Sequence, residues 1–127
     1  MKLRIKGNSM RLRISRSEVT RLLEGDPIEE VIHFSRAADG KLGYSLRRDP
    51  SVTAPTVHYT HCGVEVLLPV DRANTWGHSD QVAIAEDISL GELGALALLI
   101  EKDFACLDRS DEDNHDTFPN PNAGVRC

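Results

Sequence analysis

The chain opens with MKLRIKGNSMRLRI, residues Met1–Ile14, and this stretch decides the fold that we expect for the whole. Apolar and basic residues alternate on both sides of Gly7-Asn8, which is a two-residue turn signal and predicts a β-hairpin. With the turn at this position, Ile5 faces Met10 and Arg4 faces Arg11 across the hairpin. The aliphatic side chains then share one face and the cations the other, and a four-residue turn would give the same division.

The outward face of this hairpin carries five cations, which we call the basic face: Lys2, Arg4, Lys6, Arg11 and Arg13. Like charges directly opposite on a sheet destabilise it by up to about 1 kcal/mol per pair, so we expect anions to lie over them. One source is a phosphate-bearing ligand held by arginine forks. The other, which the sequence favours, is a set of neutralising acids from the chain itself: Glu101, Asp103, Glu112 and Asp113.

A short helix follows the hairpin. Ser15 and Glu18 form a capping box, and Val19, Leu22 and Leu23 make the apolar stripe of an amphipathic helix. Gly25 ends it, so the sequence predicts a helix over 16–24.

The rest of the chain has the pattern of short strands. We expect strands over 28–35, 42–48, 81–86 and 94–104, a second hairpin over 57–69 and a second helix over 70–76. Placing Cys62-Gly63 at the tip of that hairpin sets Tyr59 opposite Val66. The fold class expected is α+β: a mainly antiparallel sheet of about seven or eight strands, curled or barrel-like, with two short helices. The sequence shows no internal repeat.

Length and composition give the expected class of protein. The 127 residues, 40% hydrophobic and 28% charged, predict a single domain over 1–107 followed by an acidic tail over 108–127. The net charge of −5 argues against nucleic acid as a partner, and no apolar run is long enough to cross a membrane. Three irregularly spaced cysteines, Cys62, Cys106 and Cys127, favour reduced thiols and a cytoplasmic location, with no role assigned to any of them.

The sequence contains no complete motif for a metal site or a catalytic site. Asp111, Asp113 and His115 begin like a calcium loop, but Asp116 stands where that loop needs glycine. His58, His61 and Cys62, with Cys106 as a fourth ligand, suggest zinc, yet residues three apart on a strand point to opposite faces. No GxSxG, HExxH, P-loop or GxGxxG motif is present. Glu101 and Asp103 could act as acid and base, but carboxylates beside arginines usually form salt bridges. We therefore predict no catalytic residue, metal or cofactor.

Two apolar features remain. Trp76, the single tryptophan, is expected to anchor the second helix on a sheet. Phe118-Pro119-Asn120-Pro121 is an apolar segment within a polar tail, and it can dock either on the body of the protein or on a partner.

Two segments together resemble a known family. The first runs from Met1 to Val19 and contains the KLRIKGNSMRLR hairpin; the second is LIEKDFACL, 99–107, followed by Glu112-Asp113 and the FPNP of 118–121. They resemble a family of small bacterial proteins that is known only as a domain of unknown function. The resemblance spans the chain and implies a soluble bacterial protein, but no activity or site residue. HYTHC, 58–62, is not part of the pattern.

The sequence thus favours a non-enzymatic binding or interaction module of the bacterial cytoplasm. Its partner would be an unknown protein or a small anionic ligand. The alternative is a protein that binds, or acts as an enzyme on, a phosphate-containing ligand in a basic groove of the sheet.

Overall fold

The computed structural model describes residues 1–104, 116–119 and 121. The strands are β1 Lys2–Lys6, β2 Ser9–Ile14, β3 Ile28–His33, β4 Lys41–Arg48, β5 Thr56–Thr60, β6 Gly63–Leu68, β7 Ala83–Ser89 and β8 Ala95–Lys102. The helices are α1 Arg16–Leu23 and α2 Val70–Gly77, with one 3₁₀ turn at Gly91–Leu93. The α+β class, the number of strands and both helices are as predicted.

The strands form two four-stranded sheets and not one curled or barrel-like sheet, so that part of the prediction is wrong. The first sheet has the order β1-β2-β8-β7 and the second the order β3-β4-β6-β5. Each contains two antiparallel hairpins whose inner strands, β2 with β8 and β4 with β6, run parallel. Turn residues specify pairing within a hairpin, but nothing local specifies which hairpins lie side by side. The expected single, mainly antiparallel sheet is therefore replaced by two mixed sheets.

The opening hairpin has the predicted register. Arg4 lies opposite Arg11 and Ile5 opposite Met10, and Gly7 supplies a backbone φ of 55° that a side chain would disfavour. The aliphatic residues of β2 are buried, whereas Ile5, near the hairpin tip, is 64% exposed. The facial division of cations and aliphatics is confirmed.

The second hairpin differs in register from the prediction. Tyr59 pairs with Val64 and not with Val66, because the turn is His61-Cys62 and not Cys62-Gly63. Cys62 takes the left-handed conformation there, with φ 60°, which residues other than glycine seldom adopt. A shift of two residues leaves each side chain on its expected face.

Helix α1 begins at the capping box. The Ser15 amide donates to Glu18 Oε1 at 3.0 Å, and the Glu18 amide donates to Ser15 Oγ at 3.4 Å. Asp116 adds a second cap, because its carboxylate accepts from the Ser17 amide at 2.8 Å. The acid therefore satisfies an amide that the first turn of a helix leaves unpaired.

The FPNP segment docks on the protein itself. Phe118 forms a one-residue bridge with Phe104, and their rings meet edge to face with centroids 5.9 Å apart. The ammonium of Lys102 lies 5.3 Å from the Phe118 ring centroid, within the range of a cation–π contact.

The chain divides into two compact units. One unit holds residues 2–19 and 82–127, with the first sheet; the other holds Met1 and residues 20–81, with the second sheet and α2. The buried residues of the former include Leu12, Ile14, Ile84 and Ile100, and those of the latter include Leu46, Val66, Leu68 and Trp76. The prediction of one domain over 1–107 with a tail stays a prediction, since residues 105–115 lie outside the described part of the chain.

The two sheets repeat one design, which the sequence did not reveal. In the first sheet, β2 (9–14) pairs in parallel with β8 (97–102). In the second sheet, β6 (63–68) pairs in parallel with β4 (43–48) in the same register. A residue of β2 therefore corresponds to the residue 54 positions later in β6, and a residue of β8 to the residue 54 positions earlier in β4. Buried positions correspond as well, as with Leu12 and Val66. Because few identities accompany the shared hydrophobic pattern, the duplication is visible in the hydrogen bonds and not in the letters.

Candidate anion-binding site

The first sheet arranges its outward side chains in three cross-strand rows, ordered β1, β2, β8, β7. The rows are Lys2–Arg13–Glu101–Ala83, Arg4–Arg11–Leu99–Ala85 and Lys6–Ser9–Ala97–Asp87. The basic face thus covers β1 and β2, while small, apolar and acidic residues cover β8 and β7. Each row has a different electrostatic character.

The first row is neutralised within the chain. Lys2 Nζ donates to Asp103 Oδ2 at 3.2 Å, and Arg13 lies 3.3 Å from Glu101 and 3.5 Å from Asp103. The side chains of Glu101 and Asp103 are only 13% and 7% exposed, so these are partly desolvated pairs. The structure therefore brings two of the four proposed acids onto this end of the basic face.

The second row is divided. Arg11 Nε donates to Glu101 Oε1 at 2.6 Å, and its Nη2 contacts the same oxygen. Its neighbour Arg4 has no ion-pair or hydrogen-bond partner for its side chain among the described residues, although it directly faces Arg11. Within the described part of the chain, the repulsion expected between these facing cations is relieved at Arg11 and not at Arg4.

The third row carries two charged side chains, one at each end. Within the part of the chain that the structure describes, neither the Lys6 ammonium nor the Asp87 carboxylate has a partner. They lie at opposite ends of the row, separated by Ser9 and Ala97. The small side chains between them leave open space above the sheet.

That space is a groove of about 430 Å³ over the second and third rows. Its outward side chains are Arg4, Lys6, Ser9 and Arg11 on one flank, and Ala85, Asp87, Ala97 and Leu99 on the floor and far flank. The groove is therefore basic along β1 and β2, apolar in the middle and acidic at β7, where Glu86 lines it together with Asp87. The groove does not cover the first row, where Glu101 and Asp103 pair with Lys2 and Arg13.

The second sheet shows that the fold does not require this basic face. At the positions matching Arg4, Lys6 and Arg11 it carries His58, Thr60 and Glu65. A smaller groove of about 280 Å³ lies at the corresponding place, and its charged lining residues are Glu29, Glu30 and Glu65. One topology is thus compatible with a basic and an acidic groove, so the cations of the first sheet are not a consequence of the architecture.

The second sheet also reverses the ion pair. Arg47 and Glu65 occupy the places of Glu101 and Arg11, with both guanidinium contacts to the carboxylate at 3.3 Å. The hydrogen bond to Glu65 raises the pKa of Arg47. Asp49 accepts from the hydroxyl and amide of Ser51 at 2.6 and 2.8 Å, and these bonds, with Arg47 beside it, lower the pKa of Asp49. The pair is structural in both sheets, whichever strand supplies the cation.

The other candidate residues do not assemble into a site. Glu112, Asp113, Cys106 and Cys127 lie outside the described residues. His58 is on β5, and Cys62 Sγ approaches the Asp39 carbonyl at 3.3 Å. Over residues 1–104, 116–119 and 121, no three His, Cys, Asp or Glu side chains come close enough to share a metal ion. No helix in that part of the chain has the length and apolarity needed to cross a bilayer.

Sequence reasoning missed the far flank of the groove. Ala85 and Asp87 alternate with buried or half-buried residues on β7, which is the pattern of a one-sided strand. That signal shows which residues face outward, but not that β7 lies three strands from Lys6. Only the parallel pairing of β2 with β8 brings the basic hairpin and Asp87 onto one surface.

The fold and this groove define an α+β protein built from two mixed four-stranded sheets. The chain belongs to a family of unknown function, DUF7009, whose model matches residues 1–122. The match confirms the resemblance to an uncharacterised family. No curated protein and no solved structure matches the chain.

Proposed function

We propose that this protein is a non-enzymatic binding module that holds an anionic, phosphate-bearing ligand in the groove of the first sheet. The observation that carries the proposal is the pair Arg4 and Lys6, which lack side-chain partners among the described residues and line the same groove. An arginine fork and a neighbouring ammonium form a suitable cradle for phosphate oxygens.

Two further points support the proposal. Arg4 and Lys6 are replaced by His58 and Thr60 at the matching positions of the second sheet, so the fold does not need them. Facing cations such as Arg4 and Arg11 also repel each other, which costs about 0.2–1 kcal/mol for each pair. In addition, Arg11 contributes to the groove while it is held by Glu101. Its guanidinium adds positive potential to the groove, although Glu101 competes with a ligand for its N–H donors.

The experiment compares two lysines that share a strand and a face. Lys6→Gln removes a cation from the groove, whereas Lys2→Gln removes one that is bound to Asp103 outside it. Melting temperature and calorimetric titration are followed with inorganic phosphate, pyrophosphate and butyl phosphate, with sulfate as the reference anion. We expect a saturable stabilisation of the wild type and of Lys2→Gln, and a clear loss in Lys6→Gln and Arg4→Ala.

Two results would overturn the proposal. One is the absence of any stabilisation by phosphates beyond that of sulfate at the same ionic strength. The other is an equal loss in Lys6→Gln and Lys2→Gln, which would mean that net charge and not the groove governs binding. A salt-sensitive change in elution volume in gel filtration, together with no phosphate effect, would assign the groove to a second copy of the chain instead.

A further inference from the structure

We infer that the ligand of this groove is amphoteric: a phosphate monoester that carries an ammonium group at the other end of a short carbon chain. The inference rests on the proposed function and adds the residue that would select the ligand, Asp87. An anion alone would leave this carboxylate facing open space at the far flank of an anion site.

The charges of the groove are separated in a way that suits such a molecule. Lys6 and Asp87 stand in one row, and neither has a partner among the residues that the structure describes. A ligand phosphate at Lys6 and Arg4 would meet cations, and a ligand ammonium at Asp87 would meet a carboxylate. In the opposite orientation the ligand ammonium would face Lys6 and Arg4 and the phosphate would face Asp87, and both contacts would be repulsive. The ligand would therefore bind in one direction.

The length of the ligand follows from the sheet. Lys6 and Asp87 are three strands apart, which corresponds to about 14 Å between their backbones. Their side chains stand roughly perpendicular to the sheet, and a hydrogen-bonded contact at each end takes up about 3–4 Å. The remaining span of about 6–8 Å matches an extended chain of three or four carbons between phosphate and ammonium.

The middle of the groove is compatible with that chain. Ser9 and Ala97 separate the two charges within the row, and Leu99 and Ala85 continue the apolar surface in the neighbouring row. Methylene groups would lie on this floor without leaving a polar group of the protein buried and unpaired. A bulkier or more polar linker would gain less from the same surface.

The test uses 4-aminobutyl phosphate and butyl phosphate, which differ only in the ammonium. By calorimetric titration the wild type should bind the aminoalkyl ester about two- to fivefold more tightly, the range expected for one partly exposed charge pair. Asp87→Asn should remove this preference while it leaves the affinity for butyl phosphate equal or slightly higher. Glu92→Gln, which removes an exposed acid outside the groove, should preserve the preference.

The outcomes separate this inference from the proposed function. If butyl phosphate binds and Lys6→Gln weakens it, but the wild type shows no preference for the aminoalkyl ester, the groove binds phosphate and the amphoteric ligand is wrong. A preference that survives Asp87→Asn would overturn the role of that residue. If neither ester binds the wild type, the proposed function itself fails. The far-UV circular dichroism spectrum of each variant should match that of the wild type, which checks that substitutions on the edge strand β7 leave the secondary structure unchanged.

Discussion

Replacing Glu101 by glutamine tests the electrostatics of the basic face, because one carboxylate there serves two arginines. Glu101 accepts from Arg11 at 2.6 Å and lies 3.3 Å from Arg13, with 13% of its side chain exposed. The arginines are about one-third exposed, at 35% and 32%. The site is therefore intermediate between a surface ion pair and a fully buried one.

The expected loss of stability follows from that position. Surface pairs contribute about 0.2–1 kcal/mol each, and breaking a buried pair costs about 3–5 kcal/mol, so we expect Glu101→Gln to lower the free energy of unfolding by about 1–3 kcal/mol. For a chain of this length the melting temperature should fall by roughly 4–12 °C. Thermal unfolding by circular dichroism measures the change.

The same substitution should have the opposite effect on ligand binding. Arg11 lines the groove, and without Glu101 its guanidinium is free to turn toward a phosphate. We expect phosphate affinity to rise about two- to fivefold, so that added phosphate restores part of the lost melting temperature.

Glu65→Gln is the matched control because it breaks the reversed pair of the second sheet, which is 38–39% exposed. It should cost less than about 1 kcal/mol and leave phosphate affinity unchanged. The reasoning is refuted if Glu101→Gln leaves stability unaltered, or if it weakens phosphate binding as much as Arg4→Ala does.

Three further predictions concern other contacts. Ser15→Ala should lower the free energy of unfolding by about 1 kcal/mol, seen in urea titration, since the capping box loses its hydroxyl; Ser15→Asp should preserve it. The pKa of Asp49 is lowered in the folded state, so the stabilisation from its carboxylate is complete at neutral pH and is lost as the pH falls through that lowered pKa. Asp49→Asn should therefore make the free energy of unfolding fall less steeply at acid pH. An unchanged acid limb of the stability–pH curve would contradict this. Phe118→Ala removes the edge-to-face contact with Phe104 and should increase cleavage of the C-terminal segment by a nonspecific protease, whereas Phe118→Tyr should not.

Much of the local structure could be predicted from the sequence because it depends on near neighbours. The alternation in Met1–Ile14 and the turn at Gly7-Asn8 set the register of the first hairpin, and the capping box of Ser15 set the start of α1. The second hairpin was placed two residues out of register because its turn uses Cys62 in a left-handed conformation. That conformation has no reliable signature in a residue other than glycine or asparagine.

The sequence predicted the cations of the candidate site but not the residues across the groove from them. The five cations of the basic face lie on one surface as expected, since strand alternation alone puts them there. Their partners depend on which strand lies beside β2. The parallel pairing with β8 separates Lys2, which is bound to Asp103, from Lys6, which has no partner among the described residues. Asp87 had no place in the prediction because its strand is reached only through that pairing.

The amino-acid sequence by itself determined the hairpins, the two helices and the face on which each charge stands, because these follow from interactions between residues close along the chain. Only the tertiary structure decided that four hairpins assemble as two sheets of one design, and that one sheet carries a basic groove and the other an acidic one. The physical reason is that contacts between hairpins join residues such as Arg11 and Glu101, whose separation along the chain leaves no periodic signal.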